Sequence, residues 1–313
     1  MSEPNPFFKS VRQSPGIRIA ILFGAFFIFL LGVSIVTTLI NSSSYGDERT
    51  HILWGSVAQC VLAFCFPAFL LARFCSNNWA NWLELKTLPS LKALLGVCIV
   101  YVISLPTMEW LIQWNANIHF PESLSALETL FRSWEESSEV ITKTILNAHG
   151  WIAILEGVLV VGLLTGFSEE VFFRGGLQKI LTDSNINSNL AVWCGAIIFS
   201  AMHFQFFGFF PRLLMGVFFG YLLIWTRSIW VPVFAHALNN SVVVITGALT
   251  AETSGNLLDT SGSTEYLGNP LAVAGSILIT SLFLIVCRNS FFKSDNTHNL
   301  TWQKSQQPPV SEN

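Results

Sequence analysis

Charge is what this sequence has least of. Lys, Arg, Asp and Glu together supply 11% of 313 residues against 52% apolar types, and the mean hydropathy is +0.55. A soluble domain carries about 25% charged residues because its surface faces water. A chain with half that fraction presents much of its exterior to lipid. The net charge is −3 and no basic run occurs, which removes the electrostatic basis for nucleic-acid binding. Metal-type cysteine spacing is also missing: there is no Cys-x-x-Cys and no mixed Cys/His pattern. Cys60, Cys65, Cys75, Cys98, Cys194 and Cys287 read instead as small apolar side chains in lipid or helix contacts. The absence of HExxH excludes the usual soluble zincin helix, and the absence of G-x-S-x-G leaves a serine mechanism little support. No Ala-x-Ala site follows the first apolar stretch, so that stretch reads as a retained span and not a cleaved leader. No internal repeat is visible.

What is present is a series of apolar runs. A crossing needs about 20 mostly apolar residues, and stretches near 17–40, 52–73, 91–113, 151–173, 190–209, 211–227, 230–250 and 271–287 meet or approach that length. The expectation is an all-α, polytopic membrane protein of about eight transmembrane helices with a polar cavity inside the bundle. Residues 1–16 and 290–313 are polar and read as cytoplasmic tails, 17–150 as the first set of helices, and 251–289 as an outer loop and last helix. With both termini cytoplasmic, Lys9, Arg12, Arg18, Arg73, Lys86, Lys92, Arg174, Lys179, Arg227, Arg288, Lys293 and Lys304 fall inside. Only Arg49, Arg132, Lys143 and Arg212 fall outside, a bias of twelve to four in the direction of the positive-inside rule. This places the chain in the cell membrane. The polar insertion 114–150 carries Leu124, Leu127, Leu130, Phe131 and Trp134 at helical spacing, as expected of an amphipathic helix at the outer interface.

Ionisable groups inside a span cost about 2.5–3.5 kcal/mol each near its centre and persist when paired, solvated or useful. Glu169, Glu170 and Arg174 form the densest cluster. Residues four apart share a helix face, so Glu170 and Arg174 should pair. Glu169, about 100° away, has no partner at helical spacing, which suits a general base. His203 stands in the fifth apolar stretch, and His236 and Asn240, four apart, in the seventh. At 1.5 Å per residue, Glu169 and His203 lie roughly 18–20 Å from the cytoplasmic helix ends, with His236 and Asn240 roughly 10–16 Å in. One carboxylate, two imidazoles and one amide from three helices therefore converge in depth. Glu169, His203 and His236 form a plausible Zn²⁺ ligand set with an open water position. Alternatively Glu169 alone activates water while the His and Asn groups hold the tetrahedral oxyanion. Both schemes attack an amide carbonyl. A structural polar network, a non-catalytic binding protein and an ion-coupled transporter are the competing uses of such groups, though the two halves show no repeated pair of broken helices.

The ordered motifs Glu169-Glu170-x-x-x-Arg174, Phe199-x-x-x-His203 and His236-x-x-x-Asn240 resemble the signature of the CAAX-processing and bacteriocin-immunity membrane protease family, also called the Abi family. The resemblance covers about residues 150–250 and marks 151–250 as a catalytic core. It implies an intramembrane endopeptidase, of metallo or glutamate type, in which Glu169 activates water. Glu170 with Arg174 would then hold the site in shape, and His203, His236 and Asn240 would complete it. Implied partners are membrane lipid and a membrane-associated protein or peptide substrate. In the eukaryotic members, the type II CAAX prenyl endopeptidases, that substrate is a prenylated protein that loses its last three residues. Bacterial relatives are linked to peptide maturation and bacteriocin immunity.

Overall fold

The computed structural model describes residues 6–42, 46–146, 150–184, 186–254 and 269–292, and every regular element among them is helical. We label the helices α1 (Pro6–Gln13), α2 (Pro15–Ser42), α3 (Glu48–Cys75), α4 (Leu91–Ala116), α5 (Ser125–Leu146), α6 (Trp151–Asp183), α7 (Ser188–Ala201), α8 (Phe209–Thr226), α9 (Trp230–Ser254) and α10 (Pro270–Phe291). Six helical segments are long and apolar enough to cross a membrane, and α7 and α10 contribute shorter apolar stretches. All eight apolar runs are thus helical, which makes this a polytopic membrane protein. Their outward faces are apolar: Phe27, Ile28, Leu31, Ile35 and Leu39 of α2 are exposed. This is the pattern of a surface solvated by lipid.

Three local features depart from the sequence reading. The polar N-terminal tail contains α1, whose Val11 is fully buried. The amphipathic insertion extends to 22 residues. The fifth apolar run does not continue to 209: α7 stops at Ala201 after 14 residues. That is about 21 Å at 1.5 Å per residue, short of the roughly 30 Å of hydrocarbon. The turn tightens there, with His203 N–H donating to Ser200 O and Phe204 N–H to Ala201 O. Phe204 then takes a left-handed conformation (φ 55°) that no helix continues through. The expected outer loop from 255 to 268 and the tail from 293 onward lie outside the described residues, as does the side chain of Cys287. The other five cysteines are free thiols.

Two apolar clusters flank the middle of the bundle. One joins Leu22, Phe26, Phe64, Phe172, Phe173 and Phe199, and the other Val97, Val100, Phe219, Leu222, Val231 and Phe292. Between them α6 and α9 approach closely. A Cβ added at Gly166 would stand 3.0 Å from Ala237 N and 3.2 Å from its Cα. Backbone cannot yield as a side chain can, so only glycine permits this contact. Gly166→Val should therefore destabilise by about 1–3 kcal/mol and lower activity with it. Gly24→Ala, where the new methyl meets nothing within 4 Å, should do neither. Thermal unfolding in detergent distinguishes the two; an equal, negligible change in both would contradict the close approach.

Helix α5 is tied back over the α7–α8 turn. Glu128 accepts from Phe120 N–H (2.8 Å) and from Arg132 (3.1 Å). The Phe120 amide, then Arg132 and His119, hold the Glu128 carboxyl below the usual range. Arg132 lies 3.7 Å over the Phe207 ring, Phe131 stacks on Phe206, and Trp134 packs edge-on against Phe204. Leu127, Leu130, Val140 and Ile141 remain exposed.

Candidate active site

Helix α6 supplies the carboxylates from a short α-helical stretch, Thr165–Glu170, bracketed by π-helical turns at Val158–Leu164 and Val171–Gln178. Wide turns of this kind recur at functional sites. Here both neighbouring carboxylates lie inside the bundle, Glu169 at 8% exposure and Glu170 at 0%.

Glu170 is the structural member. Its Oε1 accepts from Arg174 Nη1 at 2.7 Å and from His236 Nδ1 at 2.8 Å. Arg174 spends its other terminal nitrogen on Gly216 O at 2.9 Å, and its guanidinium lies 4.6 Å from the Phe199 ring centre and 5.3 Å from that of Phe219. The same two rings hold His236, which stacks on Phe219 and meets Phe199 edge-on. One carboxylate oxygen thus ties α6 to α9, and one guanidinium ties α6 to α8.

Glu169 is the free member. Its Oε2 is buried and receives no hydrogen bond from the protein. His203 Nε2 and His236 Nε2 each stand 3.9 Å from it. The far sides of both rings define their tautomers. A backbone carbonyl only accepts, so His203 Nδ1, 2.8 Å from Phe199 O, carries the proton. His236 Nδ1 likewise donates to the Glu170 carboxylate. In neutral imidazoles both Nε2 atoms then present lone pairs toward Glu169. Three lone-pair atoms from α6, α9 and the turn after α7 face one buried point.

Asn240, one turn beyond His236, is placed differently. Its Nδ2 donates to Val161 O at 3.1 Å, and its Oδ1 accepts from Asn239 at 3.2 Å. The structure brings Glu169, His203 and His236 together, and Glu170, Arg174 and His236 together. Asn240 contacts the α6 backbone two turns before Glu169.

Two residues at this site escaped the sequence reading. Asn115 of α4, fully buried, donates to Phe206 O (3.1 Å) and accepts from Phe210 N–H (2.8 Å), clamping both ends of the turn that follows His203. Arg212, counted only as an outer-side charge, lies in the first turn of α8. Its Nη2 donates to Gln205 Oε1 at 2.6 Å, and its Nη1 is buried without a partner. The signal for both was a strongly polar side chain in or at the end of an apolar segment.

The donor chemistry of Glu169, His203 and His236 suits a divalent metal, with each imidazole secured through its Nδ1–H. Their spacing is wider than such an ion imposes. Tetrahedral zinc with bonds of about 2.0–2.2 Å sets its ligands roughly 3.3–3.6 Å apart, against 3.9 Å here. Among the described residues, no three His, Cys, Asp or Glu side chains stand at metal-binding spacing.

A stretch of 89 residues is 29% identical to the uncharacterized protein YpbD of Bacillus subtilis (strain 168), covering 27% of this chain and 42% of that one. The chain thus spans less than half the length of this curated relative. No solved structure matches significantly. Residues 151–242, which carry Glu169, Glu170, Arg174, His203, His236 and Asn240, match the family model described as type II CAAX prenyl endopeptidase Rce1-like.

Proposed function

We propose that this chain is an intramembrane endopeptidase in which Glu169 activates water for attack on a peptide carbonyl. The observation that carries the reading is the convergence of Glu169 Oε2 with two imidazole lone pairs of defined tautomer at one buried point. A water there donates one hydrogen to Glu169 and the other to a His Nε2. Glu169 takes the first proton as the water oxygen attacks the carbonyl carbon. It returns that proton to the nitrogen as the C–N bond breaks, so the carboxylate is regenerated. His236 is held for this by Glu170, and Glu170 by Arg174. Asn240 acts as a positioning residue between α9 and α6 through its bond to Val161 O. No step above requires a metal.

The substrate is a peptide bond of a membrane-associated protein or peptide, with prenylated CAAX-type proteins as one candidate class. The cell membrane, with both termini cytoplasmic, is the location that the twelve-to-four charge bias supports. The test is a proteomic comparison of membranes carrying wild-type or Glu169→Gln protein. It should reveal truncated proteins only with the wild type, and their formation by purified protein should survive chelators. Identical termini in both membranes would remove the protease reading, and loss of cleavage restored by Zn²⁺ would replace the metal-free mechanism.

A further inference from the structure

Hydrogen bonding across the site leaves one guanidinium nitrogen unused. Three carboxylates, Glu169, Glu170 and Glu135, and two guanidiniums, Arg174 and Arg212, lie in or beside it. Arg174 is consumed: Glu170 and Gly216 O take its terminal nitrogens, and two phenylalanine rings flank it. Arg212 is not. One nitrogen is anchored on Gln205, in the turn that carries His203, while Nη1 is buried and makes no hydrogen bond.

Three placements aim Arg212 at the reaction. It lies 14 residues before the end of α8 at Thr226, and Glu169 lies 14 residues before the end of α6 at Asp183. Both therefore stand several turns in from those ends, which the α7–α8 hairpin brings to the same side of the bundle. Gly208 leaves room for the guanidinium, since a Cβ there would stand 3.0 Å from Arg212 Nη2. The turn itself is pinned, by Asn115 at Phe206 and Phe210, by Ser200 Oγ donating to Phe209 O (2.7 Å), and by Glu135 of α5 accepting from Phe207 N–H (3.3 Å).

We propose that Arg212 is a further catalytic residue, the cation that meets the negative charge as it leaves Glu169 and forms on the substrate carbonyl oxygen. This rests on the protease reading above. When Glu169 accepts the proton of the attacking water it becomes neutral, and the unit of negative charge moves to the tetrahedral oxygen. Both imidazoles point lone pairs inward and cannot donate to that oxygen while neutral. A buried, pre-positioned guanidinium can, and it needs no reorganisation to do so.

The test has a binding arm and a kinetic arm. Purified full-length protein in detergent is unfolded thermally with benzylphosphonate, a tetrahedral oxyanion, and with benzamide as the uncharged control. The phosphonate should raise the midpoint of wild type and of Glu169→Gln, raise that of Arg212→Lys less, and leave Arg212→Gln unmoved. On the cleaved peptide identified from membranes, Arg212→Gln should lower kcat by about 10²–10³-fold with KM changed less than about twofold. Equal phosphonate shifts in wild type and Arg212→Gln would overturn the proposal. So would a lower midpoint without ligand combined with an unchanged kcat, because Arg212 would then only tie α8 to Gln205. If wild type cleaves nothing, the protease reading falls, and the phosphonate arm alone decides whether Arg212 receives an anion.

Discussion

Glu169→Gln is expected to abolish peptide hydrolysis, lowering kcat by at least about 10³-fold, while leaving the protein as stable as before. The two halves of this expectation have one cause. Glu169 Oε2 is buried and accepts no hydrogen bond, so no hydrogen bond of the fold depends on it. An isosteric amide removes a buried carboxylate without breaking a contact, which costs little or stabilises. Proton acceptance is lost outright. Kinetics and thermal unfolding of the same preparation check both halves together. A variant that keeps one tenth of wild-type kcat would remove Glu169 as the base. A variant that is inactive because it is unfolded would show that the carboxylate is structural.

Arg174→Met is expected to do the reverse and act first on the fold. It strips Glu170, at 0% exposure, of the guanidinium 2.7 Å away. Breaking a buried pair from one side costs about 3–5 kcal/mol, and the link from α6 to Gly216 of α8 goes with it. His236 would keep its bond to Glu170 but lose the charge balance beneath it. The double replacement Glu170→Gln with Arg174→Met should recover part of the stability, since it leaves no lone buried charge, without recovering activity. Unfolding midpoints of the two single variants and the double variant decide this. Additive losses would mean that the pair is not coupled as its geometry states.

The contrast between these neighbours was legible before any coordinates, because helix periodicity alone pairs Glu170 with Arg174 and leaves Glu169 over. The helical segments were legible too, from runs of apolar residues that lipid requires. What could not be read was interhelical. His236 bonding to Glu170 depends on where α9 crosses α6, and that crossing is set by Gly166 against Ala237. The end of α7 was hidden for a different reason. The turn from 202 to 208 is itself rich in phenylalanine, because it packs beneath α5 and not against water, so hydropathy reads straight through it. Non-helical backbone at this depth is tolerated only where protein covers it, and Asn115 and Glu135 satisfy its exposed groups. Arg212 was legible as a charge at the outer end of the run 211–227, but hydropathy says nothing of what its guanidinium meets.

An experimental structure of the protein in lipid, at a resolution that shows ordered solvent, tests the central claim most directly. The account predicts one water within hydrogen-bonding distance of Glu169 Oε2 and of one histidine Nε2, in a pocket closed to hydrocarbon. Either imidazole turned away from Glu169, or acyl chains filling the space between them, would contradict it.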